Sequence, residues 1–209
     1  MKKIVLFDFD GTIADTLPVA FEMTNKVIKD FGYQPITQED FKMLRDMKPL
    51  EILTHFKFPM WKLPALLNAV KKELLVHADK IKLFPGIERL LLDLKMEGFE
   101  LAILTSNLKE TVDKFLELHT LMIFDYIRCE PNIFEKSKLI RNFLKSTKLK
   151  PADVVYVGDE VRDIEASRDN KIKVISVGWG FTSPSSLKKA KPDYLAEKPK
   201  DIYKILKTV

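Results

Sequence analysis

Two aspartates separated by a single residue, Asp8 and Asp10, follow the apolar run IVLF and precede Gly11 and Thr12. In a strand, residues two apart point to the same face, so the two carboxylates would crowd together if the strand continued. Like charges that close raise one another's pKa unless something positive lies between them. Gly11 is read as the point where the strand ends and the backbone turns. The pair then sits at a strand's carboxyl end, where open α/β sheets bind ligands. Further groups end an apolar run or start the helix after it: Thr105-Ser106-Asn107, Lys136 or Lys138, and Gly158-Asp159 with Asp163. Carboxylates meeting in one place call for a hard divalent cation, and Mg²⁺ suits one or two of them plus waters and a phosphate. Hydroxyls and an amide at a strand-to-helix turn suit phosphate oxygens. A lysine adds the compact positive charge that phosphoryl transfer needs.

These groups need a scaffold that brings them together. Apolar runs with β-branched residues recur at KIVLFD, FELAILTSN, FDYIRC, DVVYVGD and KVISVGW, and each is predicted to be a buried strand. Helical patterns lie between them in GIERLLLDLKMEG, LKETVDKFLEL, KSKLIRNFLKST and VRDIEASRDN. Strand alternating with helix predicts a parallel sheet covered on both faces, whose strand carboxyl ends share one edge. Gly98 and Asn170 are the expected left-handed helix ends. The alternation breaks between about Thr16 and Lys82, where AFEMTNKVIKDFG, TQEDFKMLRDM, PLEILTHF and WKLPALLNAVKKELLVHA read as helices, with Thr37 and Asp40 as a capping pair. The expected division is a core of residues 1–15 and 83–209 and a helical cap of residues 16–82. The cap is inserted after the first strand, over the acidic turn, where a lid belongs.

The composition, 46% hydrophobic and 31% charged over 209 residues, is that of an ordinary globular protein. No apolar run approaches the roughly 18 to 20 residues that span a membrane. The apolar stretch before Asp8 is shorter than the roughly 7 to 15 residues of a secretory signal, so the expected location is cytoplasmic. Cys129 is the sole cysteine, which excludes an internal disulfide, and is expected as a small core or edge residue on a strand. His55, His77 and His119 are scattered, with no metal-ligand spacing. The net charge of +5 falls in the second half of the chain. Its lysines, in SLKKAKP and KPKDIYKILK, have little aromatic interleaving and read as a solvated face. Gly178 and Gly180 lack the third glycine and following helix of a dinucleotide fingerprint and read as turn residues. Phe58 and Trp61 are assigned to the core of the cap, and Trp179 to packing.

DFDGTIADT, LAILTSN and VVYVGDEVRDIEA resemble the first, second and fourth motifs of the haloacid dehalogenase superfamily. FPGIERLLLDLKMEGFELAILTSN and VGWGFTSPSSLKKAKPDYLAEKP resemble its phosphoglycolate-phosphatase-like members. The resemblance spans essentially the whole chain and is weakest in the insertion, which in that family is the cap domain. It implies a Rossmann-like α/β core and a phosphomonoesterase whose nucleophile, Asp8, forms an aspartyl-phosphate while Asp10 moves protons. It further implies Mg²⁺ held by the Asp8 carboxylate, the Asp10 backbone carbonyl and Asp159, with Asp163 direct or one step removed. Thr105 and the amides after it, from Ser106 onward, would hold the phosphoryl oxygens, with Asn107 supporting. The dehalogenase branch lacks the second aspartate, so Asp10 favours phosphate over halide chemistry.

The third motif departs from the pattern, since NIFEKSKLIRNFL stands where many relatives carry Lys-Pro-x-Pro. Lys136 best fits the helix entry, with Lys138 as runner-up. Arg45 and Lys48 in the insertion are candidates to meet an anionic leaving group. The expected partner is a small phosphate ester, with no nucleic acid and no membrane, for a monomer or homodimer. A phosphomutase of the same chemistry is the nearest alternative. A phospho-aspartate signalling module is a second, although response-regulator receivers are much shorter and lack an insertion after strand one.

Overall fold

The computed structural model describes residues 3–47, 49–56, 58–130 and 135–208. Strand β1, Ile4–Phe7, is apolar at every position and fully buried, as the centre of a parallel sheet requires. After the Asp8–Gly11 turn the chain forms β2, Ala14–Asp15, which pairs antiparallel with β3, Lys82–Leu83. Between these two short strands lie α1, Leu17–Asp30, α2, Gln38–Leu44, α3, Pro49–His55, and α4, Leu63–Val76. Pro18 and Pro64 open α1 and α4, where a missing N–H costs nothing. Thr37 and Asp40 form the capping pair of α2, the Asp40 N–H donating to Thr37 Oγ1 at 3.1 Å.

The rest of the chain alternates. Helix α5, Ile87–Met96, precedes β4, Glu100–Thr105; α6, Lys109–Leu118, precedes β5, Tyr126–Cys129. Helix α7, Lys136–Thr147, leads to β6, Val154–Gly158; α8, Val161–Asp169, leads to β7, Lys173–Val177. The chain ends with α9, Pro184–Ala190, β8, Tyr194–Ala196, and α10, Pro199–Leu206. The main sheet runs β5-β4-β1-β6-β7-β8 and is parallel throughout. Side chains alternate across it. Val5, Phe7, Ile103 and Val157 pack with Leu91, Phe115 and Ile202 on one face. Ile4, Leu6, Leu104 and Tyr156 pack with Ile140, Phe143 and Ile164 on the other. The architecture is therefore the α/β sandwich expected, with helices inserted after the first strand.

Register decides where the chemistry can be. Phe7 lies opposite Ile103 on β4 and Val157 on β6. Asp8, Thr105 and Asp159 therefore leave the sheet at nearly the same level, from three adjacent strands.

Three expectations need correction. The left-handed residue after α8 is Lys171, with φ 57°, not Asn170, with φ −98°. Asn170 instead uses its amide to donate to Ala166 O at 2.8 Å and Ser137 O at 2.9 Å, fastening α8 to α7. Gly98 does adopt φ 84°. Trp61 is not cap core: it is 77% exposed on a single helical turn, with the Lys62 ammonium 5.3 Å from its ring centre. The small cap core is built from Phe58 and Leu63 with Tyr33, Leu66 and Leu67 packed against them. Strand β8 and helices α9 and α10 were not among the assigned elements; β8 has three residues, and both helices begin at proline. Among the described residues, no helix is long and apolar enough to cross a membrane.

Candidate active site

Asp8 emerges from β1 almost fully buried. The Phe9 N–H donates to its Oδ1 at 2.8 Å, and Lys136 Nζ pairs with its Oδ2. Burial pushes the Asp8 carboxyl up to about 7, with Lys136 pulling the other way. Lys136 is the first residue of α7 and is itself buried, and it pairs with Asp163 as well as Asp8. Burial works against its charge, but Asp163 and Asp8 hold the ammonium well above its usual range. Lys138, two residues on, is exposed and meets Glu135, the residue just before α7. Of the two lysines, the structure brings only Lys136 to the aspartates.

Asp10 lies one turn further out and is half-buried. Asn107 Nδ2 donates to its Oδ1 at 3.0 Å, and the Thr105 hydroxyl stands 3.4 Å from its Oδ2. Burial raises its carboxyl, and Asn107 opposes the shift. The Asn107 N–H donates to Thr105 Oγ1 at 3.0 Å, and the Leu108 N–H to Asn107 Oδ1 at 2.8 Å, so this turn is held by its own side chains. The Ser106 carbonyl accepts from Lys71 Nζ of α4 at 2.6 Å. Lys71 thus reaches the site from the insertion; burial lowers its pKa and the Asp10 charge opposes that.

Asp159, after β6, is completely buried. Its Oδ1 accepts from the Thr12 hydroxyl at 3.0 Å and its Oδ2 from the Phe181 N–H at 2.7 Å. Burial and then Glu160, Asp8 and Asp163 drive its carboxyl well above the usual range. Two glycines make room for it. Gly11 turns the chain with φ 73°, and a Cβ on either Gly11 or Gly180 would overlap the Asp159 carboxylate. Gly180→Ala is therefore expected to cost about 1–3 kcal/mol in chemical denaturation through overpacking and to lower turnover with it. A Cβ on Gly178 would meet only ordinary contacts, at 3.6 Å. Gly178→Ala, expected to be nearly neutral, is the control; equal effects of the two would remove the steric argument.

Asp163 sits in the first turn of α8, its Oδ2 accepting from the Glu160 N–H at 2.9 Å. Glu160, the residue before α8, was missed in the sequence, where it was one more acidic neighbour in VGDEVRD. The signal available was its place, immediately after a strand-end aspartate. Ligand oxygens of Asp8, Glu160 and Asp163 lie within 4.8 Å of one another. An all-carboxylate set fits Mg²⁺, and a cation there would oppose the rise that burial imposes on the Asp8 and Asp159 carboxyls. Arg162 pairs with Glu160 at its rim.

Arg45, the candidate to meet an anionic leaving group, spends two of its donors on the core. It donates through Nε to Phe181 O at 2.7 Å and through Nη2 to Gly180 O at 2.8 Å, joining the insertion to the loop that holds Asp159. The Ser183 N–H, donating to Asp46 at 3.2 Å, adds to the same junction. Lys48 lies outside the described residues.

A family model for haloacid dehalogenase-like hydrolases matches residues 5–177, from β1 to the end of β7. The chain belongs to the haloacid dehalogenase-like hydrolase family. Phosphoglycolate phosphatase of Synechococcus elongatus is 35% identical over 96% of this chain and 95% of its own length. A putative pyrophosphatase, PpaX, of Caldanaerobacter subterraneus is 28% identical over 98% of this chain and 93% of its own. The crystal structure of a predicted phosphatase from Clostridium acetobutylicum superposes with a TM-score of 0.87 at 24% identity, covering both chains completely. Membership in this hydrolase family accounts for the whole-chain reach of the motifs.

Proposed function

We propose that the protein is a Mg²⁺-dependent phosphatase that hydrolyses a small phosphomonoester through an aspartyl-phosphate on Asp8, in the manner of its phosphoglycolate-phosphatase relatives. The observation that carries this reading is the contrast between two aspartates two residues apart. Asp8 is buried against a lysine, whereas Asp10 is half-buried and held by Asn107 and Thr105. Environments that differ in this way assign different tasks to two carboxylates.

Asp8 attacks phosphorus through a carboxylate oxygen, the bond from phosphorus to the ester oxygen breaks, and Asp10 gives its proton to the departing alkoxide. Asp10, now ionised, takes a proton from the water that attacks the phosphoryl group, and the bond to Asp8 breaks. The raised Asp10 carboxyl suits the first of these steps. Lys136 offsets negative charge beside Asp8, and Thr105 with Ser106 lines the phosphoryl side. Asp8, Asp159 and the Asp10 backbone carbonyl would hold Mg²⁺, with Asp163 direct or one step removed, and Glu160, whose carboxylate lies within 4.8 Å of oxygens of Asp8 and Asp163, adds a further acidic oxygen beside them. The ion would screen the phosphoryl oxygens from the attacking carboxylate. Residues 16–82, leaving and rejoining the core at the Ala14–Asp15 and Lys82–Leu83 pairing, serve as the cap.

Phosphate release from p-nitrophenyl phosphate and a panel of phosphorylated metabolites tests this reading. Stripping the protein with EDTA is expected to lower release at least 100-fold, and added Mg²⁺ to restore it. Activity indifferent to EDTA would remove the metal, and silence across the panel would remove the phosphatase.

A further inference from the structure

The insertion and the core enclose a cavity of about 360 Å³ whose wall is mostly apolar, with Phe21, Phe41, Leu44, Leu66 and Leu67 from the insertion and Phe181 from the core. That volume is in the range of small-molecule sites. Glu160 forms part of its wall, and a carboxylate oxygen of that residue lies within 4.8 Å of oxygens of Asp8 and Asp163. The cavity therefore borders the acidic cluster through Glu160. Arg45, the cation in the wall, directs two donors to the Gly180 and Phe181 carbonyls. A carboxylate entering here would leave water for a mostly apolar wall beside a glutamate, met only by the Arg45 donors that the two carbonyls do not take. An uncharged hydrocarbon group would gain by the same transfer.

Resting on the phosphatase reading above, we infer that this cavity receives the alcohol part of the substrate, and that the preferred esters are phosphates of apolar alcohols. The phosphate of a short carboxylate-bearing alcohol such as glycolate is then the poorer substrate. The anionic end stays at Asp8 and Lys136 while the hydrocarbon lies between α1, α2 and α4.

The experiment is a ladder of kcat/KM values for ethyl, butyl and hexyl phosphate, with phenyl phosphate and 2-phosphoglycolate beside them, in Mg²⁺. Each methylene that enters the cavity is expected to raise kcat/KM about fourfold, so hexyl phosphate should exceed ethyl phosphate on the order of 100-fold. Thr24 also lines the cavity and is half-buried. Thr24→Trp should fill the space and bring the ratio of hexyl to ethyl phosphate kcat/KM down to about 1. Leu66→Trp gives the same test if the first variant fails to fold. A flat ladder, or 2-phosphoglycolate as the best ester, overturns this inference and leaves the phosphatase standing. No release from any ester overturns both.

Discussion

Asp8→Asn is expected to fold like the wild type and to release no measurable phosphate. The exchange keeps the shape of the side chain, and the amide oxygen can still accept from the Phe9 N–H, as Asp8 Oδ1 does at 2.8 Å. What disappears is the oxygen nucleophile and a buried charge. Losing a covalent nucleophile costs on the order of 10⁴- to 10⁶-fold in kcat. Removing the charge should not harm the fold. Burial already pushes the Asp8 carboxyl up to about 7, so without metal the ionised form is a strain on the folded state. Lys136 would keep Asp163 as its partner. In EDTA the melting temperature of the variant should therefore equal or exceed that of the wild type. Asp10→Asn makes a useful contrast, since a proton-transfer group contributes about 10²- to 10⁴-fold. Residual turnover within 100-fold of wild type in Asp8→Asn would sink the nucleophile assignment. A collapse in melting temperature would show that Asp8 is needed for structure instead.

Much of this was legible in the chain because two kinds of pattern agree. The apolar runs of β1, β4, β6 and β7 are buried on both faces, so their composition alone marks them as strands. Acidic and hydroxyl residues directly after those runs must then share one edge, which brought Asp8, Asp10, Thr105, Asp159 and Asp163 into one group before any coordinates. Details that depend on side-chain direction were not legible. Glu160 and Asp159 are neighbours in sequence, and nothing in VGDEVRD shows that Asp159 accepts from Thr12 and Phe181 or that Glu160 lies beside Asp8 and Asp163. Arg45 was read as a candidate for an anionic leaving group, and nothing in MLRDMKPLE shows that two carbonyls of a loop 135 and 136 residues away would take two of its donors. Trp61 shows the same limit for packing. A large aromatic in FPMWKLP looks like core, but in an insertion with little interior Phe58 and Leu63 fill the space first.

Lys136→Met is expected to damage both fold and chemistry, and the separation of the two is the informative part. Lys136 is buried, pairs with Asp8 and Asp163, and lies 5.5 Å from the centre of the Tyr156 ring. Methionine replaces the hydrocarbon stem but leaves two buried carboxylates facing each other without a cation. Breaking a buried ion pair by removing one partner costs about 3–5 kcal/mol. At roughly 2–4 °C per kcal/mol for a chain of this size, the melting temperature should fall by about 6–20 °C. A cation bound by the same carboxylates opposes that loss, so Mg²⁺ should recover part of the stability of the variant and shift the wild type less. Turnover should remain down by about 100-fold or more even in saturating Mg²⁺ at a temperature where the variant is folded, because the charge beside Asp8 is missing when phosphorus is attacked. Lys138→Met serves as the comparison: that lysine is exposed and pairs with Glu135 on the surface, so both melting temperature and turnover should stay close to wild type. A Lys136→Met protein with normal turnover once folded would reduce the lysine to a structural counter-ion. Loss of turnover in Lys138→Met instead would mean that α7 turns during the reaction, presenting a different face to Asp8 from the one seen here.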